Sequence, residues 1–250
     1  MRVFPLNTKN LLLASSLTVC AAMPVFSYAF PELDLGAVQP IFGVDVQHRN
    51  MEFQEGFGEN LWKQTYPQTN LYAGMRFGRY FGFVLGHENS KTRTQTVNLS
   101  VGETFLGVPI TAPVDNSQTF RASSDIKGTY AQLMGYYPIG FLKSTELFLG
   151  IGAIHNKITL EQQLLAIDDE PLTPIVIGLT YRNYSASNTR AKVELGLQKI
   201  ICHHFGLRAV LGWEQTSGFN NIKPVQAPDA DTNINLNDTW TVGAGFFWIF

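Results

Sequence analysis

The chain lacks most of what a disulfide-stapled domain or a helical membrane protein would need. Only two of its 250 residues are cysteines, Cys20 and Cys202. Cys20 falls in an apolar leader, so the remainder carries one thiol and no internal disulfide, the usual staple of a small secreted domain. Long apolar runs are equally scarce. Leu11 to Met23 is the one extended stretch, and it is short of the roughly 20 residues that a bilayer-spanning helix requires. A strong charge of either sign is missing too: 18 Lys and Arg against 20 Asp and Glu give a net charge of −2, which argues against a nucleic-acid partner. No linker and no low-complexity tract divides the chain.

Residues 1–29 read as a secretory signal, with Arg2 and Lys9 as its basic end, Leu11 to Met23 as its apolar core and Ser27-Tyr28-Ala29 at the cleavage position. Val19 is too bulky before Cys20 for a lipidation site. Removing the signal takes away two basic residues and no acid, leaving −4 on residues 30–250. That remainder has the length of one all-β domain.

What the chain does have is alternation. From Asp238 to the terminal Phe250, one parity carries Trp240, Val242, Ala244, Phe246 and Trp248, and the other carries Thr241, Gly243, Gly245, Phe247 and Ile249. A strand sends alternate side chains to opposite faces, so one face is large and apolar while the other is mostly small. Seven further segments share this period. Phe42, Val44 and Val46 alternate with Asp45, Gln47 and Arg49; Leu71, Ala73, Met75 and Phe77 with Tyr72, Gly74 and Arg76; Phe81, Phe83 and Leu85 with Gly86 and Glu88. Ala131 and Leu133 oppose Tyr130, Gln132 and Met134, and Leu147 to Ala153 oppose Phe148 to Ile154. Ala191, Val193, Leu195 and Leu197 oppose Arg190, Lys192, Glu194 and Gln198; Leu207, Ala209, Leu211 and Trp213 oppose Arg208 and Glu214.

Between these segments, short connections (78–80, 138–146, 201–204) alternate with long ones (52–68, 95–125, 158–188, 217–237). This is the pattern of an all-β, eight-stranded, antiparallel up-and-down transmembrane barrel with short periplasmic turns and four long extracellular loops. The expected polarity is apolar outside and charged inside. Asp45, Arg49, Arg76, Glu88, Lys192, Glu194, Arg208 and Glu214 fall on the inward parity. Eight strands leave an interior just wide enough for side chains, so these charges are expected to pair as a structural network. Inward glycines such as Gly43, Gly86 and Gly196 would make room for Tyr72, Tyr130, Phe148 and the arginines. Trp62, Tyr66, Trp213 and Trp240 are expected in an outer aromatic girdle, and Tyr80, Phe81, Tyr136, Tyr137 and Phe250 in an inner one. Thr92 to Val101 is read as a continuation of the third strand above the membrane, paired with the Thr119 to Lys127 side.

The motifs Gly43-Val44-Asp45-Val46-Gln47, Leu71-Tyr72-Ala73-Gly74-Met75-Arg76-Phe77, Lys127-Gly128-Thr129 leading to Met134-Gly135-Tyr136-Tyr137-Pro138, and Trp248-Ile249-Phe250 resemble the eight-stranded outer-membrane barrel family of OmpA's membrane domain, OmpX and the opacity-type surface antigens. The resemblance covers essentially all of 30–250. It implies a monomeric Gram-negative outer-membrane protein acting in adhesion, surface interaction or envelope integrity. Trp248 and Phe250 would serve as the C-terminal insertion signal read by the barrel-assembly machinery. No peptidoglycan-binding domain accompanies the barrel, so a cell-wall tether is not carried over. Expected partners are outer-membrane lipids, lipopolysaccharide, and an extracellular ligand or host surface met by the four loops.

Other constellations carry less. Asp229 to Trp240 begins like a calcium loop but has Ile234 where Gly is needed and Trp240 where Glu is needed. Asp168-Asp169-Glu170 reads as a solvated loop tip. Cys202-His203-His204 offers three consecutive side chains that do not converge on one ion, and His87 and His155 read as rim residues. Pro174 to Leu179 is apolar enough to pack on its neighbours. Lipid A deacylases of this size carry a His-x-Ser-Asn strand motif, absent here, so no enzyme, cofactor or metal is expected. The alternatives to a filled surface barrel are a small ion-conducting pore and, further off, a lipid A-modifying enzyme.

Overall fold

A computed structural model describes residues 37–53, 62, 64–99, 104–105, 108–109, 117–175, 181–202, 204–215, 217–222 and 232–250. The signal segment 1–29 lies outside them, as do residues 229–231 of the calcium-like stretch 229–240 and all but the first two residues of 174–179. Eight long strands form the body: β1 (Val38–Asn50), β2 (Thr65–Phe77), β3 (Phe81–Ser90), β4 (Gln118–Pro138), β5 (Thr145–Ile167), β6 (Arg182–Cys202), β7 (Phe205–Glu214) and β8 (Thr239–Ile249). Each pairs antiparallel with the next in sequence. The ring closes where β8 meets β1, from Ile41↔Ile249 to Asn50↔Trp240. Among the described residues no strand at membrane level keeps a free edge, which is the condition for a sheet to lie in hydrocarbon.

All eight alternations point as their parity requires. Val46, Leu71, Leu85, Leu133, Ile151, Leu195, Leu211 and Phe246 are exposed on the outside, while Asp45, Arg49, Glu88, Lys192, Glu194 and Glu214 are buried within. An apolar outside around an ionised inside is the inverse of a soluble barrel, so the molecule is a transmembrane barrel of the outer-membrane type. On β5 the stretch Thr145 to Ala153 rises roughly 20–25 Å at the usual strand tilt, matching the apolar band of such barrels. Phe42 stacks on Trp248 at 4.8 Å and on Phe250 at 5.7 Å, closing the seam on its lipid side.

Two of the connections differ from their expected form. β4, β5 and β6 contain 21, 23 and 21 residues, about twice the 9–11 needed to cross a bilayer. Much of 158–188, expected as loop, is therefore strand, while within 95–125 the continuation expected above the third strand and its partner on the 119–127 side are present. β5 runs to Ile167 and β6 begins at Arg182, opposite Gln162. Segment Arg93–Leu99 prolongs the line of β3 and pairs with Ser124 to Gln118 of β4. Within 217–237, Ser217–Ile222 pairs with Thr232–Leu236. The ladder continues because Ile126, Ile158, Leu160 and Tyr184 still alternate inward and are buried; only the outward residues turn polar. At its far end, Asp168 and Asp169 take positive φ of 52° and 62° between Ile167 and Glu170, the left-handed pair of a two-residue hairpin turn, and both are exposed. At the opposite end Gly78 turns β2 into β3 with φ 58°, a conformation that glycine adopts freely.

The aromatic belts also need correction. Trp213 and Trp240 face each other on the outer wall, and Phe81, Tyr137 and Phe250 are exposed at the other end. Trp62, Tyr66 and Tyr136 are buried inside instead. Tyr66 and Tyr136 share the inward parity of Gln68 and Met134, and inward space near the rims is filled by rings rather than water.

Candidate functional site

The lumen holds the buried ionised side chains of the described residues, and its parts come from strands on opposite walls. β6 supplies Arg190, Lys192 and Glu194; β1 supplies Asp45 and Arg49; β3 supplies Glu88; β7 supplies Arg208 and Glu214. Period-2 geometry stacks all of them inward, and the barrel diameter brings facing walls within one side-chain length.

These eight form one unbroken chain in which the sign alternates at every step. Arg190 meets Glu214 at 2.9 Å, Glu214 meets Arg49 at 2.5 Å, and Arg49 meets Glu88 at 3.3 Å. Glu88 accepts from Lys192, which lies 3.2 Å from Glu194. Glu194 is 3.9 Å from Arg208, whose guanidinium clasps Asp45 through Nε at 2.8 Å and through its NH2 group. Neutral amides complete the shell. Asn156 accepts from Arg49 at 3.3 Å and donates to Glu214 at 2.9 Å. Asn70 and Gln47 donate to Asp45 at 3.0 and 3.4 Å.

A separate pair lies toward the short-turn end. Arg76 makes a bidentate contact with Glu146 at 2.9 and 2.8 Å, and Gln198 donates to the same carboxylate at 2.7 Å. Arg76 also donates to the Arg79 carbonyl at 2.5 Å, tying the pair to the β2–β3 turn. Of the eight charges expected inside, seven thus belong to the chain and Arg76 to this pair. Arg190 and Glu146 are the members that the expected set omits. Arg190 shares the parity of Lys192, so alternation places it; Glu146 shares that of Phe148 but falls in the 138–146 stretch that reads as a turn. These two groups together comprise five cations and five anions and are electrically neutral.

Aromatic faces seat the cations. Lys192 Nζ lies 4.4 Å from the Tyr130 ring centroid, Arg208 4.0 Å from Tyr72, and Arg76 4.4 Å from Tyr136. The rings press on wall glycines: a Cβ at Gly43 would fall 2.3 Å from the Tyr72 hydroxyl oxygen, and one at Gly86 2.2 Å from the Tyr130 ring. Outward of the charged layer, Met51, Phe53, Trp62, Tyr66, Phe120, Ile126, Ile158, Leu160, Tyr184 and Leu236 make a second, apolar core inside the elongated strands. Tyr66 and Ser124 hydroxyls share a 2.7 Å hydrogen bond there.

The remaining candidates are peripheral. His204 Nδ1 lies 2.8 Å from the Ile249 carbonyl oxygen, Cys202 is an exposed free thiol, and His203 lies outside the described residues. Among the described residues no three His, Cys, Asp or Glu side chains converge as a metal site. Trp248 packs against Phe205 with ring centroids 5.4 Å apart, and Phe250 lies 6.1 Å from the His204 ring.

No family model and no curated protein matches the chain. Solved structures do. The outer membrane protein OprG from Pseudomonas aeruginosa is 13% identical with a TM-score of 0.46, over 86% of this chain and 96% of that one. Neisserial surface protein A is 12% identical at 0.45, over 86% and 100%. A major outer membrane protein from Thermus thermophilus is 13% identical at 0.44, over 86% and 100%. The eight-strand ring itself rests on the closed ladder of this chain.

Proposed function

We propose that the protein is a non-enzymatic surface barrel of a Gram-negative outer membrane, one that presents an elongated outer rim and does not conduct. One observation carries this reading: the lumen is filled twice in series. A neutral chain of alternating ions crosses it at membrane level, and an apolar core occupies it beyond. A buried ion whose neighbours are all of opposite sign is bound too tightly to exchange with a passing ion, and an apolar core has no hydration to offer one. The elaborated part is the outer half of β4, β5 and β6 with the segments joining them, which is where a surface antigen or adhesin would meet its partner.

Two measurements test this. Protein reconstituted in planar bilayers should be electrically silent; steady channels whose selectivity changes with Glu194→Gln would establish the narrow-pore alternative. Deleting 100–117 or 172–181 should weaken attachment of cells to surfaces or host matrix while the boiled and unboiled protein still migrate differently on gels. Unchanged attachment by both deletions would leave envelope stiffening as the role.

A further inference from the structure

The outer wall of β3 to β6 is layered by register. Lys127 of β4 and Lys157 of β5 are direct cross-strand partners, and both are exposed. Like charges directly opposite in an antiparallel pair are destabilising, and among the described residues neither lysine makes an ion pair. The next row out sets Asp125 against Thr159, which confines the positive charge to one level. One row toward the membrane, His87, Thr129, His155 and Thr189 stand side by side on four consecutive strands. Each histidine is held through Nδ1 by the following threonine, at 3.1 Å for His87 and 3.0 Å for His155, leaving its Nε2 for another partner.

Beneath that row the wall becomes shallow. Ala73, Leu85, Ala131, Ala153 and Ala191 follow one another around five strands. At the β1–β3 side of this row lies an open, shallow apolar depression of about 390 Å³, lined by Phe42, Leu71, Ala73, Leu85 and His87. Paired cations, then hydrogen-bonding rings, then small apolar residues with a depression reproduce the phosphate, headgroup and acyl sequence of an anionic lipid lying along the barrel.

We propose that this face binds a phosphomonoester-bearing glycolipid of the outer leaflet, with its phosphate between Lys127 and Lys157, its sugar against the His–Thr row and an acyl chain in the depression beside Phe42 and Leu85. A phosphomonoester carries about −1.5 to −2 charges at neutral pH, enough to neutralise two lysines; the phosphodiester of an ordinary phospholipid carries one. The assignment rests on the outer-membrane reading above, which places this level at the outer leaflet.

The test is to fold the full chain into phosphatidylcholine vesicles containing a few mole per cent of diphosphoryl lipid A, dephosphorylated lipid A or phosphatidylglycerol. Lipid retained on the detergent-extracted barrel is then quantified. Wild type should retain diphosphoryl lipid A at least about tenfold better than either other lipid. K127A/K157A should lose at least about tenfold of that binding, as expected for removing two lysines from an anionic surface. K127R/K157R should keep it, and K199A at the opposite end of the barrel should behave as wild type. Equal retention by wild type and K127A/K157A, or no preference for the phosphorylated glycolipid, overturns the assignment. Failure of wild type to give a heat-modifiable band in any vesicle would instead overturn the barrel reading beneath it.

Discussion

Glu214 shows how much one side chain holds in this lumen. It lies between Arg49 and Arg190 and also accepts from Asn156, so Glu214→Gln leaves two guanidinium groups short of charge in a site without bulk water. The expected loss is about 3–5 kcal/mol, read as a lower urea midpoint for unfolding from vesicles. The Arg76–Glu146 pair permits a cleaner cycle because it stands apart from the chain. Arg76→Met and Glu146→Gln should each destabilise strongly, whereas the double replacement should cost less than their sum by about 1–3 kcal/mol. Additive losses would mean that the two charges do not sense each other. At the wall, Gly86→Val must displace the Tyr130 ring, and overpacking of this kind costs about 1–3 kcal/mol; Tyr130→Leu in the same chain should recover part of it. Sorting by parity brings out most of these residues, since ions on an inward face have no water to meet. Glu146 escapes it by sitting in the stretch that reads as a short turn, and Trp62 because an aromatic near a rim reads equally well as girdle or as core.

At the scale of strands, β4, β5 and β6 each serve two environments. Their membrane-level halves are apolar outside, and inside they carry rings and amides on β4, Glu146 and Phe148 on β5, and the ions Arg190, Lys192 and Glu194 on β6; their outer halves are polar outside and largely apolar inside. The first pattern is conspicuous in a sequence because outward aliphatics recur every second residue. The second is the ordinary pattern of a soluble sheet, and Lys157, Thr159 and Glu161 look like the start of a loop although Ile158 and Leu160 keep the period. The eight crossings are therefore legible, as is the outward continuation of β4 opposite 93–99; the length of β5 and β6 is not. The two halves should also respond separately. Leu160 is fully buried in the outer core, and Leu160→Ala should cost about 2–5 kcal/mol there. Amide exchange should quicken over 118–126, 158–167 and 182–188, while the ladder at membrane level stays protected and the heat-modifiable shift persists. Uniform acceleration along β5 would show that the halves open as one.

For the whole molecule, the surrounding hydrocarbon decides which substitutions matter. Leu149, Leu195 and Leu211 form an outward row near the middle of the apolar band. Leu195→Arg should therefore cost about 2–4 kcal/mol in vesicles, and Ser185→Arg, ten residues outward on the same face of β6, should change stability by less than about 0.5 kcal/mol. Equal effects would mean that no bilayer encircles the barrel. The β1–β8 seam bears on how such a molecule is made. The rungs that remove its last open edge join positions some two hundred residues apart, and an unzipped chain would carry two rows of bare amides and carbonyls into a solvent that cannot solvate them. No half-built version is stable at its destination. The seam therefore has to close before or as these strands meet hydrocarbon, and the step that closes it needs β1 and β8 at once.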